Sequence, residues 1–195
     1  MLLEKLEKYD VILASDSPRR KQLLGEMGIR FRKESVGVSE EYPVDLAPRQ
    51  IAEYLSKRKA GAFEKTRLQE NSLLITADTI VTLDEQVLGK PAHREDAIRI
   101  LRSLSGKPHD VITAVTLKTR EKEMTFSVVT KVFFKELADV EINYYIDCFK
   151  PYDKAGAYGI QEWIGHAAIE KIEGSYFNVM GLPTHRLYEE LSRFI

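Results

Sequence analysis

Hydrophobic and polar positions along the chain follow two periods, which predict strands interleaved with helices. Apolar, β-branched runs predict strands at residues 9–14, 31–36, 72–83, 87–89, 110–119, 124–134 and 167–172. Apolar residues three and four positions apart predict helices at 17–27, 47–65, 95–104, 139–149 and 181–195. The charged segment 120–122 predicts a hairpin turn between two of the strands, and the glycine-rich segment 153–161 predicts a loop. Because the order lacks strict βαβ regularity, the pattern predicts an α/β fold with a mixed sheet.

Length and charge narrow the class of protein. The 195 residues are enough for a buried core and predict a single domain over 1–195. A net charge of −1 does not favour a nucleic acid polymer or an anionic membrane as partner. Cys148 is the sole cysteine, which excludes an intrachain disulfide. The sequence contains no apolar run of about 18 residues, so we expect a cytoplasmic protein without a membrane span.

The stretch ASDSPRRK at 14–21 places positive charge at a predicted helix start. Ser17 fits the N-cap and Pro18 the first helical position. Arg19 and Arg20 then lie where the helix dipole disfavours cations. Free backbone N–H groups and guanidinium groups together favour phosphate binding. The alternative is that the arginines are solvated and form surface ion pairs.

Asp78 interrupts the apolar strand 72–83 with a carboxylate. A buried carboxylate must be paired, hydrogen-bonded or bound to a metal. The position therefore indicates a metal ligand or a general base, or else a strand-end Asp that caps a loop. In an ideal strand Asp78 and Thr79 face opposite sides, so a shared substrate would require an irregular strand.

Three other segments carry weaker signals. Glu40 lies in a presumed loop and would suit a divalent cation, although a solvated acidic loop is equally compatible with the sequence. Lys90 follows a glycine and precedes a proline, outside any P-loop pattern. In the loop 153–161, Lys154 is suited to phosphate and Gln161 to a base edge, whereas a plain surface loop needs neither role.

Taken in order, these segments resemble the Maf family of nucleoside triphosphate pyrophosphatases. The resemblance runs through LASDSPRRKQLL, ADTIV, LGKP, LSGKPHDVITAV, DKAGAYGIQ and IEGSYFNVMGLP. It implies a Maf/ITPase-like α/β fold, with a central mixed β-sheet flanked by helices and two lobes around a deep cleft. It also implies hydrolysis of a nucleoside triphosphate to the monophosphate and pyrophosphate with Mg²⁺ or Mn²⁺.

The resemblance assigns roles to individual residues. Asp78 is expected to accept the proton of the attacking water. Asp78 and Glu40 are also expected to bind the metal. Arg20, Lys90 and Lys154 are expected to contact phosphates, and Ser15 to lie in the same anion loop. The homodimeric state is expected by the same likeness.

The substrate subtype rests on three positions. Arg19, Thr79 and Gln161 match the dTTP/UTP type, whereas the 7-methyl-GTP type tends to carry Trp, Gln and Glu at these positions. The alternatives are the same chemistry on 7-methyl-GTP or inosine triphosphate, and a non-catalytic nucleotide-binding regulator of cell division and septum formation. Trp163, after the glycine-rich loop, is compatible with stacking on a base or with packing.

Overall fold

The computed structural model describes residues 1–63 and 67–195. Its strands are β1 (Asp10–Ala14), β2 (Arg32–Glu34), β3 (Ser72–Leu83), β4 (Gln86–Leu88), β5 (Pro108–Lys118), β6 (Glu123–Phe134) and β7 (Ile169–Glu173). Its helices are α1 (Leu2–Leu6), α2 (Pro18–Glu26), α3 (Pro48–Ala62), α4 (Arg94–Leu104), α5 (Asp139–Phe149), α6 (Trp163–Ala167), α7 (Tyr176–Met180) and α8 (Thr184–Phe194). A 3-10 helix spans Ala155–Ala157.

The described strands form one mixed sheet in the order β2-β1-β3-β5-β6-β7, with β4 paired to β3. Strand β1 is parallel to both neighbours, with Ile12 opposite Arg32 on one side and Leu74 on the other. The pairs β3–β4 and β6–β7 are antiparallel. The predicted α/β fold with a mixed sheet and flanking helices is therefore confirmed.

The chain divides into two compact units, and the first comprises Met1–Asp78, Thr113–Val128 and Gly181–Ile195. Strand β1 is apolar over Val11–Ala14 because parallel central strands are covered on both faces. One cluster of its core packs residues of β1 and β3 against Ala60, near the end of α3, and against Phe63 and Leu68. That cluster contains Ile12, Ala14, Ala60, Phe63, Leu68 and Leu74.

The second unit comprises Thr79–Ile112 and Val129–Met180. Helix α4 buries one face, formed by Ala97, Ile100, Leu101 and Leu104, which are spaced three and four residues apart. It packs against α5, whose buried residues are Ile142, Tyr145 and Ile146. The single domain over 1–195 and the deep cleft stay predictions.

The sequence pattern located the long elements better than the short ones. Strand β3 has the predicted bounds, whereas the helix predicted at 47–65 is observed at Pro48–Ala62, and 64–66 lie outside the described residues. The pattern missed α1, α6, α7 and the 3-10 helix inside the predicted loop, because a single turn is too short to show a helical period. Among the described residues no helix combines the length and apolar character needed to cross a bilayer.

Buried His109 makes folding stability depend on pH. Its side chain is 3% exposed, its Nε2 shares a hydrogen bond of 2.8 Å with the Tyr158 hydroxyl, and its ring meets Phe134 edge-on. Burial lowers the pKa of His109 to about 4. The unfolded chain therefore binds a proton that the folded chain excludes between about pH 6.5 and pH 4, so stability falls as the pH falls through this window.

We expect the contribution of His109 to lower the free energy of unfolding by about 1 kcal/mol when the pH is lowered from about 7.5 to about 5.5. Urea titrations at both pH values measure it. His109→Gln should lack this part of the pH dependence, whereas His166→Gln, which alters an exposed histidine, should retain it. An equal pH dependence in wild type and His109→Gln would contradict the assignment.

Candidate active site

The turn between β1 and α2 has the geometry of an anion-binding helix start. Ser17 is the N-cap, and its Oγ accepts a hydrogen bond from the Arg20 backbone N–H at 3.4 Å. Pro18 occupies the first helical turn, which contains no acidic residue. Ser15 Oγ accepts from the Ser17 N–H at 3.3 Å and so closes the turn. The predicted N-cap and helix start are confirmed.

Arg20 is buried beside this turn rather than solvated. Its Nε donates to the Gly181 carbonyl at 2.9 Å, and its Nη1 donates to Ser15 Oγ at 3.3 Å. Burial lowers the pKa of the Arg20 guanidinium, the negative charge of Asp78 raises it, and Arg19 and Glu40 add smaller opposing effects. Since a guanidinium stays protonated in proteins, the first unit holds a fixed, partly desolvated cation next to the helix start.

Asp78 is buried on β3, 6% exposed, where it forms an ion pair with a lysine that the sequence analysis missed. The ammonium of Lys59 on α3 donates to Asp78 Oδ1 and lies 3.8 Å from Glu40 Oε1. Lys59 therefore lies next to both of the acidic residues that the sequence singled out. The sequence contained an indication that Lys59 faces the protein interior, because it lies four residues after Leu55 and eight after Ile51, on the apolar face of the helix.

A buried network of hydroxyl groups fixes the position of α3 against β3 beside this ion pair. Ser56 Oγ shares a hydrogen bond of 2.9 Å with Thr116 Oγ1, and Thr76 Oγ1 donates to the Ser56 carbonyl at 2.8 Å. Ser56 precedes Lys59 by three residues on α3, and Thr76 precedes Asp78 by two on β3. Satisfied buried networks of this kind rigidify their surroundings, which fixes the distance between the ammonium and the carboxylate.

The second unit contains Thr79, Lys90, Lys154 and Gln161. Lys154 is buried, and its ammonium lies 2.7 Å from Asp153 Oδ1 and 3.1 Å from Glu162 Oε1. The N–H of Gly156 donates at 3.1 Å to the carbonyl of Gly89, the residue before Lys90. The backbone thus joins the Lys90 segment to the Lys154 loop.

Gly156 is required by this close approach. Its φ is +71°, and a Cβ at this position would lie 2.9 Å from a methyl carbon of Val81, two residues after Thr79 on β3. Any larger residue would push the loop away from the strand and strain the backbone. The glycine-rich loop is therefore packed against β3.

Gln161 ends this loop with a buried acceptor atom. Within the described part of the chain, Oε1 of Gln161 is buried and has no hydrogen-bond partner. Unsatisfied buried acceptors are rare in folded proteins and call for a ligand or water. Trp163, two residues later, packs edge-to-face on Tyr144 with ring centroids 5.0 Å apart.

Among the described residues, the carboxylates of Glu40 and Asp78 are the candidate metal ligands. In residues 1–63 and 67–195 no group of three or more His, Cys, Asp and Glu side chains is gathered as ligands. Asp78 and Glu40 both lie next to the Lys59 ammonium, so the two carboxylates belong to one cluster of charged side chains. Mg²⁺ is commonly held by one or two carboxylates together with substrate phosphates, and this donor set fits that pattern.

Comparison with known proteins gives a full-length match. The family model described as "Maf-like protein" matches residues 10–194. The dTTP/UTP pyrophosphatase of Phocaeicola vulgatus is 53% identical over 193 residues, covering 98% of this chain and 100% of that protein. The dTTP/UTP pyrophosphatase of Flavobacterium johnsoniae is 50% identical over 195 residues, covering 100% of both chains. The solved Staphylococcus aureus Ham1 protein is 11% identical over 64% of this chain and 71% of that one, with a TM-score of 0.44.

Proposed function

The chain belongs to the Maf-like protein family, and on that premise we propose that it hydrolyses dTTP and UTP to the nucleoside monophosphate and pyrophosphate. The observation that supports this most is about 50% identity, over essentially the whole chain, to relatives named dTTP/UTP pyrophosphatase. The protein is accordingly an enzyme that acts on a nucleoside triphosphate.

Phosphate binding is assigned to the turn before α2. Helix N–H groups and the Arg20 guanidinium, with Arg19 next to it, present positive charge to an anion. Arg20 is held by Ser15 and Gly181, so the orientation of its guanidinium is fixed before substrate arrives. Preoriented donors stabilise charge that develops on phosphoryl oxygens without further reorganisation.

Asp78 is assigned as the general base. Lys59 pairs with Oδ1 of Asp78 and so fixes the carboxylate in one orientation. We assign Oδ2 as the atom that accepts a proton from water as the water attacks the α-phosphorus. Transfer of that proton in the transition state makes the oxygen nucleophilic, and pyrophosphate then leaves.

A divalent cation, Mg²⁺ or Mn²⁺, completes the assignment, and Asp78 and Glu40 are the residues that would hold it. When bound, the cation neutralises negative charge on the triphosphate. Lys90 and Lys154 are assigned to phosphate contacts on the family resemblance. The homodimeric state stays a prediction.

Gln161 is assigned to the base, together with Arg19 and Thr79. Uracil and thymine carry an N3–H donor, and the buried Oε1 of Gln161 is an acceptor that supports this pairing. Cytosine has an acceptor at N3 instead. A site built to hydrogen-bond one group rejects an analogue that lacks it, because its buried polar atoms are then left unpaired.

A panel of nucleotides tests the proposal. Pyrophosphate release is measured from dTTP, UTP, CTP, GTP, ITP and 7-methyl-GTP, each with Mg²⁺ and with Mn²⁺. We expect kcat/KM for dTTP and UTP to exceed that for the other nucleotides by about tenfold or more. Turnover of 7-methyl-GTP or ITP above that of UTP would contradict the substrate assignment. Binding without any turnover would favour a regulatory nucleotide-binding protein.

A further inference from the structure

Tyr145 of α5 reaches both sides of the residue assigned to base recognition. Its side chain is fully buried, and its ring stacks on that of Phe149 with centroids 5.2 Å apart. The Tyr145 hydroxyl accepts a hydrogen bond from the Gly159 N–H at 3.0 Å and donates to Glu162 Oε2. One rigid phenol therefore holds the residues on either side of Gln161.

Glu162 extends the same network to the lysine assigned to phosphate. One of its carboxylate oxygens, Oε1, lies 3.1 Å from the Lys154 ammonium, while Oε2 accepts from Tyr145. A single carboxylate thus links Lys154 to the Gln161 loop. Burial, and then the neighbouring Glu162 carboxylate, raises the pKa of the Tyr145 phenol, so the hydroxyl keeps the proton that it donates.

Gly159 allows two side chains to fold over the loop. A Cβ at position 159 would lie 3.0 Å from Cδ of Glu162 and 3.1 Å from Nε2 of Gln161. The Gln161 amide is thus packed over the same backbone that Tyr145 holds. Because an amide presents its oxygen to an imide N–H only in one orientation, movement of this backbone changes which edge of a base it can pair with.

We propose that Tyr145 and Glu162 are positioning residues for substrate selection, which fix the Gln161 amide relative to the base and the Lys154 ammonium relative to the phosphates. The inference rests on the proposed function, since it names what holds the base-reading residue of that site. Neither residue is assigned a role at the reacting atoms. The pair acts through Gln161 and Lys154, and its loss should affect selectivity more than the rate of the chemical step.

The test is the ratio of kcat/KM for UTP to that for CTP in Tyr145→Phe. Phenylalanine keeps the ring packing and removes the hydroxyl alone. We expect the ratio to fall about tenfold, with kcat for UTP changing less than about threefold, because small displacements of a positioning group reduce productive alignment. Tyr144→Phe is the matched control. It removes a hydroxyl from the adjacent, 49% exposed tyrosine and should leave the ratio unchanged.

Glu162→Ala tests the same proposal independently if Tyr145→Phe does not fold. It removes the acceptor for Tyr145 and one of the carboxylates paired with Lys154. The UTP/CTP ratio should fall as in Tyr145→Phe, and KM for both nucleotides should rise. A wild-type ratio in the folded variants would overturn the positioning role while leaving the proposed function intact. A wild type that does not prefer UTP would instead overturn the proposed function.

Discussion

Asp78→Asn is expected to reduce kcat for UTP and dTTP by about 10²- to 10⁴-fold, the usual contribution of a positioned general base. Asparagine has the same shape but cannot accept the proton of the attacking water. Asparagine still presents an Oδ1 acceptor to the Lys59 ammonium at this buried position, so we expect the loss to come from chemistry rather than from a change of conformation. Steady-state kinetics with pyrophosphate detection measures the effect.

The matched control is Asp10→Asn at the opposite end of a neighbouring strand. Asp10 begins β1, and its Oδ1 accepts from Arg32 Nε at 3.0 Å near the protein surface. This variant should keep wild-type kcat. Urea titration of both variants separates activity from stability, because Asp78→Asn leaves the Lys59 ammonium without its closest carboxylate. A folded Asp78→Asn with kcat within about threefold of wild type would refute the role of general base.

Arg20→Lys is expected to lower kcat/KM for UTP by about 10²-fold. Lysine preserves the positive charge but cannot donate to Ser15, Gly181 and a phosphate from one planar group. The effect should therefore measure the geometry of the guanidinium rather than its charge. Arg20→Ala should lose more activity and also stability, because it leaves a buried carbonyl without its donor.

Arg30→Lys supplies the control, since it makes the same exchange at an exposed arginine. It should leave both kcat/KM and the urea midpoint at wild-type values. If Arg20→Lys also keeps the wild-type kcat/KM, the buried guanidinium serves only to hold Ser15 and Gly181 together. The assignment of Arg20 to phosphate would then be wrong.

The turn after β1 shows how far local sequence can predict a site. Ser17 and Pro18 act through the backbone of the next few residues, so the sequence identified the N-cap and the start of α2 correctly. The fate of Arg20 depends on Gly181, which is 161 positions away in the sequence. No local pattern contains that contact, and the choice between a solvated and a buried arginine needed the folded chain.

Asp78 could be identified from local sequence, whereas the role of Lys59 could not. A carboxylate in an apolar strand is anomalous by itself, so the sequence singled out Asp78. Lysine on a helix is ordinary, because long side chains commonly keep the charged end in water. Only the packing of α3 against β3 shows that this lysine is 15% exposed and paired with Asp78.

The second unit shows a different limit of prediction. The glycine-rich segment 153–161 predicted a loop without a packing partner, and the structure identifies Val81 as the close neighbour of Gly156. The sequence did not predict that Tyr145 reaches this loop, because a buried tyrosine on α5 is ordinary core. Its contact with the loop consists of two hydrogen bonds formed by one hydroxyl.

In the proposed reaction, water attacks the α-phosphorus of a pyrimidine nucleoside triphosphate. The most direct measurement is hydrolysis of UTP in water enriched in heavy oxygen, followed by mass spectrometry of the products. We predict equal amounts of UMP and pyrophosphate, with the heavy oxygen in UMP alone. Heavy oxygen in pyrophosphate or in inorganic phosphate, or release of UDP, would show that water does not attack the α-phosphorus.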